Sequence, residues 1–125
     1  MKINQRLSAS SLYEIVRTGF GAIKDQRTTN AEISLQDILM AGFALFSLKD
    51  PSLLAFDARR AAPENLHTVY GIKQIACDTY LRTVLDEVNP AHLRPVYKRL
   101  FERAVEEQVL APYLFMGQYY LVSPD

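Results

Sequence analysis

One cysteine, two histidines and no surplus of charge of either sign set the first bounds on this 125-residue chain. The single cysteine, Cys77, excludes an internal disulfide and any Cys-cluster zinc site, and it fits a reducing cytoplasm. Fourteen Lys and Arg balance fourteen Asp and Glu. That balance excludes a polybasic nucleic-acid tail, an acidic mimic and a charge-driven disordered chain. The longest uncharged apolar run, Ile38 to Leu48, is eleven residues, too short to span a bilayer. Met1-Lys2-Ile3-Asn4-Gln5-Arg6 carries no apolar signal core. A cytoplasmic protein with no membrane partner is expected.

Catalytic signatures are equally sparse. His67 and His92 lie twenty-five positions apart without a Cys or carboxylate cluster at ligand spacing, so neither reads as a zinc ligand. Cys77 precedes a helix N-terminus but has no Cys-His motif beside it, and it reads as a small half-buried residue. A glycine-rich phosphate loop and a G-x-S-x-G elbow are both missing. Asp86 and Glu87 are adjacent on a helix and point about a hundred degrees apart, as solvated charges do.

What the sequence does carry is helix. Its length suggests one domain, large enough to bury roughly two-thirds of its unfolded surface without metal or disulfide staples. Leu12, Ile15, Val16, Phe20 and Ile23 at three-and-four spacing predict an amphipathic helix within Ser8 to Lys24. Gly19 and Gly21 either fray its second half or mark a close backbone approach. Asp25 to Glu32 is polar and reads as an exposed loop or arm. Ser34 caps a helix with Asp37 in its first turn. From Leu35 to Leu48 that helix leaves little polar face, so it is expected at the centre. Asp50-Pro51 can start the next helix, which carries Leu53, Leu54 and Phe56 and closes at Arg59-Arg60. A short helix follows from Ala62 towards Tyr70-Gly71, and Ile72 to Cys77 is a connector.

Asp78 is expected to cap a helix with Tyr80, Leu81, Val84, Leu85 and Val88 on one side. Asn89-Pro90 ends it and caps the last helix, with Leu93, Val96, Leu100, Phe101 and Val105 inward. Pro95 either kinks that helix or begins it. Gln118-Tyr119-Tyr120-Leu121-Val122 reads as a strand. A lone strand is marginal and leaves an open edge, so this one is expected to belong to a sheet that is missing.

Arg94, Lys98, Arg99 and Arg103 recur near four-residue intervals on one side of the last helix. Glu102, Glu106 and Glu107 are interleaved and can neutralise them. The alternative is phosphate contact, with Arg82 and Lys73 extending the patch and the helix from Asp78 placed as a helix-turn-helix reading helix would be.

The run Ile33-Ser34-Leu35-Gln36-Asp37-Ile38-Leu39-Met40-Ala41-Gly42-Phe43-Ala44-Leu45-Phe46-Ser47-Leu48-Lys49-Asp50-Pro51-Ser52-Leu53-Leu54-Ala55-Phe56 resembles the N-terminal region of bacterial insertion-sequence transposases of the DDE type. Three later pieces, in order, share the resemblance. They are Asn65-Leu66 with Tyr70-Gly71-Ile72, then Asp78-Thr79 with Arg82 and Leu85-Asp86-Glu87-Val88, then Phe115-Met116-Gly117 with Tyr120-Leu121. About residues 31 to 125 are covered.

The resemblance implies a helical N-terminal domain leading into an RNase H-like catalytic core, whose first strand ends in an aspartate. Asp125 falls on that first catalytic acid. DDE chemistry is two-metal phosphoryl transfer in which three carboxylates hold two Mg²⁺. One acid cannot assemble the site, so this chain alone is expected to bind no metal and to cleave no strand, Mg²⁺ belonging to the complete parent enzyme.

The expected architecture is therefore mainly α, a compact domain of about five to six helices ending in one short β-strand of an absent RNase H-like sheet. Residues 1–32 form a helix with a polar loop or arm, 33–112 the helical transposase domain and 113–125 the strand. The expected function is DNA binding and assembly in transposition by a truncated transposase. Its partners are transposon-end DNA, through Lys73, Arg82, Arg94, Lys98, Arg99 and Arg103, and other transposase copies. The competing expectation is a helical dimerisation module without DNA binding, which zero net charge favours.

Overall fold

The computed structural model describes residues 4–28 and 31–123. The described residues form six α-helices and no strand. These are α1 (Ala9–Gly21), α2 (Leu35–Ser47), α3 (Leu53–Asp57), α4 (Glu64–Thr68), α5 (Asp78–Asp86) and α6 (Arg94–Glu106). Short 3-10 turns at Gln5–Leu7, Ala58–Ala61, Pro90–His92 and Ala111–Tyr113 join or flank them. None of the helices is long and apolar enough to cross a membrane.

Ser34 starts α2 by accepting the Asp37 N–H at 3.1 Å, which satisfies one of the donors that a helix start leaves open. Beyond it Ile38, Leu39, Met40, Ala41 and Ala44 are all buried, so α2 is the central helix that its apolar sequence requires. Its last turn departs from that pattern, since Phe46 points out and is 80% exposed. Val16 and Phe20 of α1, Phe56 of α3, Leu66 of α4, Leu81 and Val84 of α5 and Val96 of α6 fill a single core with it.

Both glycines of α1 mark close approach. A Cβ on Gly19 would stand 2.8 Å from a methyl of Val96, and one on Gly21 would stand 2.7 Å from the Gln36 amide nitrogen. That amide donates to the Arg17 carbonyl at 2.7 Å, so α1 is fastened to α2 at one point and pressed against α6 at another.

Two expected caps fall elsewhere. Ser52, not Asp50, caps α3 by accepting the Ala55 N–H, and the Asp50 carboxylate instead takes two hydrogen bonds from Arg59, both 2.7 Å. Asp78 is the first residue of α5 rather than its cap; its own N–H donates to Asp57 at 3.1 Å, so an acid at the end of α3 serves the start of α5. The Pro95 alternative resolves in favour of a start, because proline lies in the first turn of α6, where its missing N–H costs no hydrogen bond.

The Arg59 hydrogen bonds hold the Asp50 carboxyl below its ordinary range. A carboxyl lowered in the folded state adds stability above its unfolded pKa of about 3.9, and that increment is lost as pH falls through the folded value. Arg59 is half exposed, so the increment is about 1 kcal/mol or less. Arg59→Met should therefore lower the urea midpoint at neutral pH. It should converge with wild type as pH falls through the folded value, where the carboxyl becomes protonated in both proteins. A gap that persists unchanged into acid would assign the loss to packing instead of charge.

The expected strand at 118–122 does not form among the described residues. One antiparallel bridge, Phe115 to Tyr119, closes a tight turn through Met116 and Gly117, both at positive φ. A ladder needs a second extended segment, and every other described element that could flank this one is a helix or a turn. Phe101 and Val105, expected inward, are exposed as well. α6 meets α1 through Val96, which turns the stripe through Tyr97, Phe101 and Val105 away from the core. Tyr120 folds back onto it, edge-on to Phe101 at 5.3 Å.

Candidate nucleic-acid interface

The six expected phosphate contacts divide into two groups. Four-residue spacing separates two side chains by about 40° around a helix, so Arg94 and Lys98 share one line along α6 and Arg99 and Arg103 another. The second pair is engaged within the protein. Arg99 reaches Glu106 at 3.2 Å. Arg103 donates to the Arg6 carbonyl at 3.0 Å and stands 3.9 Å from Glu106.

The N-terminal turn completes this network. Arg6 pairs with both Glu106 and Glu107, and the Asn4 amide donates to Glu107 at 2.8 Å. Arg99 and Arg103 thus help to clasp the Gln5–Leu7 turn against the end of α6. The spacing of Glu102 and Glu106 hinted at neutralisation. The contribution from residues nearly a hundred positions earlier carried no local signal.

Arg99 and Arg103 also line an open groove of about 1120 Å³ between α1 and α6. Glu14, Thr18, Lys24 and His92 stand on its walls, and Ile15, Gly19 and Val96 lie along its apolar floor. His92 therefore faces the groove, whereas His67 is fixed by a 2.6 Å hydrogen bond between Nδ1 and the Ile72 carbonyl. Cys77 is half-buried ahead of α5.

Lys73, Arg82, Arg94 and Lys98 are exposed, and none has a carboxylate within 4.0 Å among the described residues. Arg82 borders a shallow pocket with Ser52, Leu54 and Thr79, where α5 passes the start of α3. Lys73 lies in the connector before α5, whose position is set by Asp37. That carboxylate is buried and accepts the N–H groups of Lys73 at 3.2 Å and Gln74 at 3.0 Å. Sequence reasoning placed Asp37 in the first turn of α2 and saw no such link.

Two further cations escaped the sequence reading. Arg27 joins Asp25, the Ile33 carbonyl and the Tyr80 hydroxyl, which ties the polar segment after α1 to α5. Arg17 packs beside Gly71, whose φ is +69°. Its Nη1 is buried without a hydrogen-bond partner among the described residues.

Asp125, the expected first catalytic acid, lies outside the described residues. Among the described residues no three His, Cys, Asp or Glu side chains gather as a metal site. No family model, curated protein or solved structure matches the chain.

Proposed function

We propose that this chain is the N-terminal, DNA-binding and assembly region of a DDE-type transposase, acting in the cytoplasm and catalytically incomplete by itself. One observation carries the reading: the first two of the separated pieces that resemble that family are joined by a polar bond, and residues flanking the pieces tie the first to the third. Asp37 in the first piece holds the connector between the second and third. The Ser47 hydroxyl accepts a 2.9 Å bond from Tyr70, and Asp57, just after the first piece, receives the Asp78 N–H of the third. Residues that perform structural work together account for a shared pattern over so long a stretch.

Within this reading the phosphate contacts come from Lys73, Arg82, Arg94 and Lys98, whose charges are free. Arg99 and Arg103 act indirectly by fixing α6. Retention of a generic duplex in a gel-shift at low salt tests it. Arg94→Glu with Lys98→Glu should weaken retention about tenfold and reduce the slope of log K against log salt by about 2, since each phosphate contact contributes about 0.9. Absence of retention, or a double variant with wild-type salt dependence, overturns the proposal.

The second reading, a protein–protein interaction module without DNA binding, is favoured by the apolar side chains left open along α6 and the segment after it. The same gel-shift separates the two.

A further inference from the structure

Three arginine side chains converge on one carboxylate at the end of α6. Glu106 accepts a 3.1 Å hydrogen bond from Arg6 on one oxygen and a 3.2 Å bond from Arg99 on the other. The Arg103 Nε stands 3.9 Å from the first of these oxygens. Glu107, paired with Arg6 and the Asn4 amide, is the second acid of the cluster. Glu102 comes no nearer to Arg99 than 4.0 Å.

The carboxylate fills this setting incompletely. A separation of 3.9 Å is too long for a hydrogen bond, and the Arg103 Nε is buried with no partner among the described residues. A buried donor in that state carries a desolvation cost that nothing returns. Arg103 is also fixed from its other end, where Nη1 donates to the Arg6 carbonyl at 3.0 Å. Only 16% of its side chain is exposed, against 45% for Glu106. The cation is therefore held in place, whereas the carboxylate belongs to the last residue of α6 and can swing into water.

A phosphomonoester offers what Glu106 lacks. It carries about −1.5 to −2 charge at neutral pH and three strong acceptor oxygens. A carboxylate brings a single charge and two oxygens. The planar fork of arginine matches phosphate oxygens, and such charge-assisted bonds are the strong ones. Arg99 and Arg103 also line the groove between α1 and α6, so the organic part of a bound ester has an apolar floor beside it.

We propose that Arg6, Arg99 and Arg103 form a phosphomonoester-binding site in which Glu106 is the internal stand-in for the ligand. The phosphate displaces the Glu106 carboxylate, keeps the hydrogen bonds of Arg6 and Arg99, and adds one from the Arg103 Nε. None of Lys73, Arg82, Arg94 and Lys98 lies within 4.0 Å of Glu102, Glu106 or Glu107. The site is thus separate from the DNA contacts proposed above and does not depend on them.

Titration of the full chain with methyl phosphate tests it, followed through the arginine Nε–H signals in ¹⁵N NMR spectra at constant ionic strength. Saturable shifts of Arg99 and Arg103 are expected, with a dissociation constant of about 1 mM. Chloride at the same ionic strength should leave the Arg103 signal in place, because screening supplies no acceptor. Glu106→Gln keeps the shape and removes the competing charge, so it should tighten binding about fivefold. Arg99→Met should weaken it by about the same factor. Absence of saturation, an equal response to chloride, or a Glu106→Gln variant that binds no tighter than wild type would each overturn the inference. Dimethyl phosphate binding as tightly as the monoester would overturn it too, since the cluster would then read a nucleic-acid backbone. Methyl phosphate binding without any retention of duplex defeats only the transposase reading.

Discussion

Phe56→Ala is expected to destabilise the protein by about 4 kcal/mol, the largest loss from any single truncation considered for this fold. Phe56 is wholly buried and sits on α3, a helix of five residues. So short a helix has no independent stability. Its place depends on the ring in the core, the Ser52 cap and the Asp57 bond to α5. Emptying the ring's site leaves a cavity that α3 cannot close by collapsing, because Asp50–Arg59 on one side and Asp57–Asp78 on the other fix its ends. A melting temperature lower by roughly 10–15 °C follows for a chain of this size. Leu54→Ala, on the same helix but 71% exposed, should change stability by no more than about 0.5 kcal/mol. Paired urea titrations distinguish the two. Similar, small losses in both variants would mean that α3 does not dock on the core in solution.

That contrast shows how far the sequence could be read. Helices α1, α2, α5 and α6 were legible because each carries apolar residues at three-and-four spacing, and Ser34 is a cap whose chemistry is local. Leu53, Leu54 and Phe56 looked equivalent on the same criterion, since periodicity over five residues cannot say which one meets the core. Cap assignments failed where two side chains competed. Asp50 and Ser52 are both able to cap α3, and the choice was decided by Arg59, which captures the aspartate. Phe101 and Val105 lay on a stripe as regular as the buried one. Gly19 against Val96 determined which side of α6 faces inward, a contact between residues far apart in sequence.

The candidate interface was legible to the same depth. Spacing identified the cations of α6 and the glutamates able to quench them. It could not separate Arg94 and Lys98 from Arg99 and Arg103, because the clasp that occupies the second pair is built from Asn4 and Arg6. The strand reading of 118–122 rested on local composition alone, and no strand forms there among the described residues. Whether such a segment becomes a strand depends on a neighbouring edge, and no residue within it encodes that.

Asp37→Ala is expected to cost about 3 kcal/mol, and the reason lies in what it would leave behind. Only 4% exposed, the carboxylate accepts the backbone N–H groups of Lys73 and Gln74 through different oxygens, in a connector whose Ile72 and Ala76 belong to the core. Hydrogen bonds to a charged acceptor contribute about 1.5–3 kcal/mol each, and an orphaned buried donor costs about 1–3. Losing a favourable acid from the first turn of α2 adds a few tenths more. Asp37→Asn is the sharper test, because it keeps the shape. One of its two terminal atoms must be an NH₂ group that faces a backbone N–H, donor against donor, so about 2 kcal/mol should still be lost. The damage should also be local before it is global. Amide hydrogen exchange at Lys73 and Gln74 should accelerate under native conditions by more than that of amides in the middle of α2, which follow global unfolding, since the connector opens without the core. If Asp37→Asn leaves both stability and these two exchange rates at wild-type values, the connector is held by its apolar residues alone. The link that joins the second and third resembling pieces to the first would then have to be sought elsewhere.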